Sequence, residues 1–289
     1  MAPSPSAPSA PSPLSAPPSN PPSAPSPLPI TPVRHFPIPL TPHHTQPILI
    51  TEPNLRADNL PLETWASSTI LASQLHLVPV SFPAPSPSMI PILELGAGTG
   101  LVGIAAAGVY RRGTVLTDLE PIVPGLEGNV GLNSGWLGGV EEEENGEGEG
   151  TGGGKVEISA GVLDWTAPGI CTVGAKVYRA SETKAHVILA ADTLYSEEHP
   201  VLLSRTVGMW LARDSRARFI MGTALRVAYL EELRELWEKL EGLGLKCVKE
   251  GKGMAEEKDF DDERLVEWSV WRWKDLEDKE ESEQGQEVA

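Results

Sequence analysis

Two short stretches hold residues whose types and spacing suit chemistry. The first is Glu94-Leu95-Gly96-Ala97-Gly98-Thr99-Gly100, a G-x-G-x-G run with an acid in front. Glycines there let the backbone turn tightly and let a ligand approach the main chain without meeting a Cβ. The helix start that follows offers unpaired N–H groups. The second is Ala190-Ala191-Asp192-Thr193-Leu194-Tyr195, in which Asp192 and Tyr195 form D-x-x-Y. A carboxylate that accepts an amine N–H, beside a phenol that orients it or shields a growing cation, suits delivery of an amine to an electrophile. A lysine amine titrates at about 10.4 and is nucleophilic only when neutral. Such a site must desolvate it, hold it in line and give its proton somewhere to go. The plainer reading is that Asp192 caps a turn and Tyr195 packs on a sheet.

The ligand of the glycine loop follows from what is missing. A dinucleotide loop reads G-x-G-x-x-G, and Leu101 stands where its third glycine belongs. No Walker lysine follows either. The carboxylate of Glu94 suits a ligand with a cationic amino acid end and suits a pyrophosphate poorly. S-adenosylmethionine carries an ammonium and a sulfonium and no phosphate, so it is the expected ligand. Asp118, at the end of Leu116-Thr117-Asp118, lies about twenty residues past the loop, where an acid can accept two hydrogen bonds from a ribose diol. It can also cap the helix from Glu120 onward. Trp165, in Leu163-Asp164-Trp165, is either a wall for the adenine or a core residue. Trp65 carries the same ambiguity. Thr193 and Leu194 are not prolines, which counts against the Asn/Asp-Pro-Pro-Tyr/Phe pattern of base and amide methylation. Glu197, Glu198 and His199 either line the acceptor opening or start a solvated helix, and the helix start is expected.

These residues need elements to hold them. Ile48-Leu49-Ile50-Thr51 reads as a short strand, and Asp58-Asn59 with Pro61 as a helix start. Trp65, Thr69, Ala72 and Leu75 share one helical face. Strands are expected at 89–95, 114–118, 156–163, 186–192 and 217–222, and helices at 100–110, 122–132, 200–212 and 228–243. Strands at 245–250 and 265–273 close the domain with no helix between them, so they pair as a hairpin. Alternating strands and helices mean an α/β fold with a mostly parallel sheet. Five such units and an antiparallel C-terminal hairpin give the Rossmann-like plan of the seven-strand class I methyltransferase sheet.

Residues 1–45 form a Pro/Ser/Ala tract expected to be disordered or polyproline II. Residues 46–274 are the expected domain, 138–154 a flexible Gly/Glu insertion, and 275–289 an acidic disordered tail. The formal net charge is −17. Thirteen of the negatives fall in that insertion and that tail, against Lys155 and Lys279. The folded part is therefore only mildly acidic, which argues against nucleic acid as the main ligand and permits a basic protein partner. Cys171 and Cys247 are the only cysteines. They make no disulfide framework and no metal spacing, and suit a reducing compartment. No apolar run is long enough to span a membrane and no signal pattern opens the chain. A cytoplasmic monomer is the expectation.

Taken together, Leu93 to Gly103, Thr117-Asp118, Leu163-Asp164-Trp165 and Asp192-Thr193-Leu194-Tyr195 resemble the D-x-x-Y protein-lysine methyltransferases, the family 16 group of seven-strand enzymes. Ile50-Thr51-Glu52-Pro53, Ala57-Asp58-Asn59-Leu60 and Thr64-Trp65-Ala66-Ser67-Ser68 look closest to the fungal branch that modifies translation elongation factors. The resemblance implies that Trp65, Gly96, Ala97, Gly98, Asp118, Trp165 and Ala191 contact S-adenosylmethionine. It also implies that Asp192 and Tyr195 frame the lysine of a protein substrate. Two other readings stay open: a class I methylase of a small molecule or another residue type, and a non-catalytic module of the same fold. Intact Glu94, glycine loop, Asp118 and D-x-x-Y speak against the module.

Overall fold

In the computed structural model the described residues are 31–57, 60–137, 156–256 and 264–276. They open on a hairpin of β1 (Val33–Thr41) and β2 (His44–Thr51). β1 lies inside the stretch expected to be a featureless tail. Phe36, Ile38 and Leu40 alternate onto one buried face, while Pro37 and Pro39 occupy the other positions. Proline cannot donate to a ladder, so it is tolerated only where one side of a strand is unpaired. β1 meets that condition, since β2 is its one pairing strand among the described residues. Residues 1–30, 138–155 and 277–289, which hold most of the expected tails and insertion, lie outside the described residues, as do Asp58 and Asn59.

The helix start expected near Pro61 is not there. β3 (Arg56–Ala57) and β4 (Leu60–Pro61) pair instead, consistent with the extended bias that proline imposes on its predecessor. Helix α1 (Ala66–Gln74) begins only after Trp65, which makes no side-chain cap. Beyond it run β5 (Met89–Leu95), α2 (Leu101–Tyr110), β6 (Thr114–Asp118) and α3 (Val123–Leu137). Then come β7 (Ile158–Val162), β8 (Ile170–Val173), β9 (Lys176–Arg179), β10 (Lys184–Ala191) and α4 (His199–Trp210). The last elements are β11 (Arg218–Ala224), α5 (Leu230–Gly242), β12 (Leu245–Met254) and β13 (Leu265–Trp273).

One sheet has the strand order β12-β13-β11-β10-β5-β6-β7-β8-β9. The five central strands are parallel. β13 pairs antiparallel with β12, as the sequence led us to expect, and also with β11. The β8–β9 hairpin was not anticipated. It extends the seven-strand plan by two strands at the far margin, turning through Gly174 at φ +54°. Helices α1, α2 and α3, with the β1–β2 hairpin, build the core on one face, and α4 and α5 build the other. The chain fills the sheet outward from β5 through β6 and β7, then returns to β10 on the other side of β5. That reversal opens a crevice at the strand tips between β5 and β10, the place where open α/β sheets bind ligands.

Two packing details fix the crevice. Helix α2 sits so close to the sheet that a Cβ on Gly103 would lie 2.1 Å from Leu116 Cδ2 and 2.5 Å from Glu94 Oε2. Two fully buried asparagines of α3 clamp the hairpin. Asn129 accepts the Thr51 N–H (2.8 Å) and donates to the Thr51 and Thr99 carbonyls, both at 3.0 Å. Asn133 accepts the Leu49 N–H (3.0 Å) and donates to the Leu49 carbonyl (2.7 Å). A helix thereby satisfies the outer edge of β2 as a neighbouring strand would, and buried amides pay no desolvation penalty.

Candidate active site

The glycine loop leaves β5 and turns through positive φ at Gly96 (+61°), Gly98 (+54°) and Gly100 (+83°), a region that L side chains seldom adopt. Asp118 holds its shape. Its Oδ2 accepts the Gly98 N–H at 2.8 Å and its Oδ1 accepts the Leu119 N–H at 2.7 Å. The Ala97 N–H donates to the Thr117 carbonyl (2.9 Å), joining the loop to the tip of β6. A Cβ on Gly96 would meet the Trp165 ring at 3.0 Å, so the indole lies directly on that backbone. A Cβ on Gly98 would meet nothing within 4 Å and would project into open space.

That space is one cavity. Gly96, Ala97, Gly98 and Asp118 form one side of it, and Trp65 and Trp165 also line it. Ala191, Asp192 and Tyr195 border it from the tip of β10. Nine of the residues singled out from sequence therefore meet around one hollow. Glu94 and Gly100 do not line it. Glu94 is only 2% exposed, and its Oε2 accepts the Gly103 N–H at 3.0 Å behind the loop. Burial pushes its carboxyl up to about 8; the Gly103 N–H opposes that rise and the Asp118 charge adds to it. A direct contact between Glu94 and a ligand ammonium, the expectation from sequence, does not match this placement. Gly100 caps α2 and packs against Leu116 and Leu126. Both residues shape the loop from behind.

The Asp192 side of the cavity has partners that the sequence did not disclose. Asp192 adopts φ +58°, which turns it out of the strand direction. Arg226 grips its carboxylate with two parallel hydrogen bonds, Nη1 to Oδ1 and Nη2 to Oδ2 (2.9 Å for the latter). The pair is nearly water-free, with side chains 3% exposed for Asp192 and 11% for Arg226. The Arg226 guanidinium also stands over the Trp65 ring at 5.7 Å. His199 starts α4, as expected, and lines the cavity as well. Its ring contacts Tyr195 edge-on at 4.2 Å and Trp165 at 5.7 Å, and its Nδ1 lies 2.9 Å from the Thr193 carbonyl. Leu60, Pro61, Leu62 and Glu63, just before α1, supply a further wall.

The chemistry of this set fits an S-adenosylmethionine ligand. An open cradle faces a backbone stripped of side chains, an acid stands at the next strand tip, and an indole lies beside both. A family model described as "Lysine methyltransferase" matches residues 45–229. The chain belongs to the lysine methyltransferase family. Five parallel central strands and an antiparallel C-terminal pair give it the class I Rossmann-like fold.

Among curated relatives, the chain is 34% identical over 220 residues to "Protein-lysine N-methyltransferase EFM2" of Saccharomyces cerevisiae, covering 70% of this chain and 46% of that one. It is 29% identical over 229 residues to "Protein-lysine N-methyltransferase rrg1" of Schizosaccharomyces pombe, covering 78% and 67% respectively. The chain thus spans about half the length of the first relative. Magnesium protoporphyrin IX methyltransferase from Synechocystis PCC 6803 with bound SAM overlays 71% of this chain and 76% of its own, at 13% identity and a TM-score of 0.39. Among the described residues, no helix is long and apolar enough to cross a membrane.

Proposed function

We propose that this chain methylates the ε-amine of a lysine on a protein substrate, with a translation elongation factor as that substrate, and that it works in the cytoplasm as a monomer. One observation carries the reading. Asp192 and Tyr195 border the same cavity as the Gly96–Gly98 loop, so an acceptor held by one faces a cofactor held by the other. Gly96, Ala97, Gly98, Asp118, Trp165, Trp65 and Ala191 would hold S-adenosylmethionine, which supplies an electrophilic methyl on sulfur when bound.

The chain's own part is placement. Asp192 accepts an amine N–H and fixes the direction of the nitrogen lone pair. Tyr195, braced edge-on by His199, walls the approach. S-adenosylmethionine held by the glycine loop would supply the electrophilic methyl, and the lysine nitrogen placed by Asp192 and Tyr195 would supply the lone pair that accepts it, with the positive charge ending on nitrogen and a neutral thioether leaving. No general acid is required. Exclusion of water and alignment of the two reactants account for the gain in rate.

The elongation-factor reading rests on the fungal resemblance of residues 50–68 and on the lysine methyltransferase relatives. Incubation of the chain with tritiated S-adenosylmethionine and cell lysate tests it. A discrete labelled band, identified by mass spectrometry as an elongation factor carrying methyl-lysine, is the expected result. Label confined to small molecules removes the protein substrate, and a labelled band of another identity removes the elongation factor.

A further inference from the structure

The Arg226–Asp192 pair poses a chemical question. A lysine arrives as an ammonium ion and reacts only as an amine. A lone carboxylate at hydrogen-bond distance holds an ammonium in its charged, unreactive form, since an opposite charge within about 4–6 Å favours ionisation by one to three pH units. The residue best placed to orient the amine would by itself trap it. In this structure the carboxylate is not alone. Two of its lone pairs go to the guanidinium fork, and a carboxylate offers about four, so it can still accept an N–H.

We propose that Arg226 is a positioning residue that lets Asp192 orient the target lysine while cancelling the field that would keep it protonated. The inference rests on Asp192 being the acceptor-side residue, as argued above. Any amine bonded to Asp192 lies two consecutive hydrogen bonds from the guanidinium, about 4–6 Å. At that range, beside an ion pair almost wholly removed from solvent, the fixed cation disfavours a second one. Arginine suits the task because it stays charged at every working pH and its planar fork locks both carboxylate oxygens. The Trp65 ring on its other side helps keep it in place. The φ of +58° at Asp192 belongs to the same device, turning the carboxylate toward Arg226 and the cavity rim together.

The charged and titratable groups that face this point come from every surrounding element. They are Asp192 and Tyr195 from the tip of β10, His199 from α4, Asp164 and Asp118 from the tips of β7 and β6, and Glu63 from the segment before α1. Arg226 is the cation that the structure pairs with Asp192. His199 is the imidazole of the set.

The test is the pH profile of transfer at saturating S-adenosylmethionine. The acceptor is the protein labelled by the wild-type chain in lysate of Saccharomyces cerevisiae cells lacking the EFM2 relative. For Arg226→Met the acidic limb of kcat is expected to move up by about one to two pH units. Turnover near pH 7 falls about ten- to a hundredfold and recovers toward wild type near pH 9. Arg226→Lys, which keeps the charge, recovers most of the wild-type profile. The displacement persists in a His199→Gln background, and calorimetry with S-adenosylhomocysteine shows affinity within a few-fold, which reports an intact fold. A loss of turnover equal at every pH overturns the proposal, because a merely structural role acts that way. Asp192→Asn separates the two readings. If it keeps normal turnover, or if the wild-type chain labels no protein, the acceptor site itself is wrong and this inference falls with it. If it is inactive while Arg226→Met keeps the wild-type limb, only the role of Arg226 is lost.

Discussion

Two carboxylates of the first half of the sheet look alike in sequence and differ in use. Asp118 is at the cavity wall with both oxygens engaged by backbone N–H groups. Asp118→Ala removes the brace of the glycine loop and, in the site proposed above, the partner of the ribose as well. The expected outcome is a fall of more than tenfold in S-adenosylmethionine affinity by calorimetry, with a far smaller effect on folding. Asp192→Ala is expected to do the reverse, abolishing transfer with cofactor affinity kept within a few-fold. Glu94, pushed up to about 8 by burial, holds its proton at neutral pH. Glu94→Gln therefore replaces one neutral hydrogen-bond acceptor by another and should leave cofactor affinity unchanged at pH 7. Glu94→Ala should weaken it, because the Gly103 N–H is left buried and unpaired at a cost of about 1–3 kcal/mol. Equal affinity for all three side chains would show that the acid has no hold on the loop. The position of Glu94 before the glycines was legible in the sequence. Its distance from the cavity was not, since only the fit of α2 onto Leu116 shows which way the side chain turns. Arg226 was illegible for a related reason: 34 residues separate it from Asp192, and no local spacing joins them.

Elements were readable where period and punctuation agreed. β5, its loop and α2 announce themselves by an apolar run, glycines and small residues, and β13 falls on the expected residues. β1 was lost because Pro37 and Pro39 outweighed the alternation of Phe36, Ile38 and Leu40. The start of α1 was misplaced because Asp58-Asn59 and Pro61 read in sequence as a helix entry, whereas α1 begins at Ala66. The asparagine clamp of α3 is equally silent in sequence, since Asn129 and Asn133 look like ordinary polar positions four apart. In the fold they secure β2. Asn129→Ala or Asn133→Ala should each destabilise the protein by about 1–3 kcal/mol, read as a lower urea midpoint. If both variants melt with the wild type, the hairpin is not held by these amides.

Across the whole molecule, two buried groups give stability a pH dependence of definite sign. The Glu94 carboxyl is raised from 4.5 to about 8. It favours the fold fully below 4.5 and loses that contribution as pH climbs through about 8. His186 is completely buried, with Nε2 2.9 Å from the Ser81 carbonyl and Nδ1 without a hydrogen-bond partner among the described residues. Burial lowers it from 6.5. It favours the fold above 6.5 and loses that contribution as pH falls through its lowered value. Just below 6.5 the two slopes oppose each other, and between 6.5 and 8 only that of Glu94 remains. The urea midpoint of the wild-type chain should therefore decline from pH 6.5 to pH 8, and Glu94→Gln should flatten the decline. A wild-type midpoint that holds steady over that interval would contradict the buried, protonated carboxyl.

The amide of Asn129 reaches two segments far apart along the chain, the end of β2 and the carbonyl of Thr99 in the glycine loop. The glycine loop is thus moored to a ribbon that begins at Val33, upstream of residue 45 where the family match starts. A shortened chain beginning at residue 45 would keep every residue of the cavity and yet lose the strand that backs β2. Its grip on S-adenosylhomocysteine should slacken by calorimetry although nothing that touches the ligand has changed. Undiminished affinity in that shortened chain would mean that the mooring carries no tension.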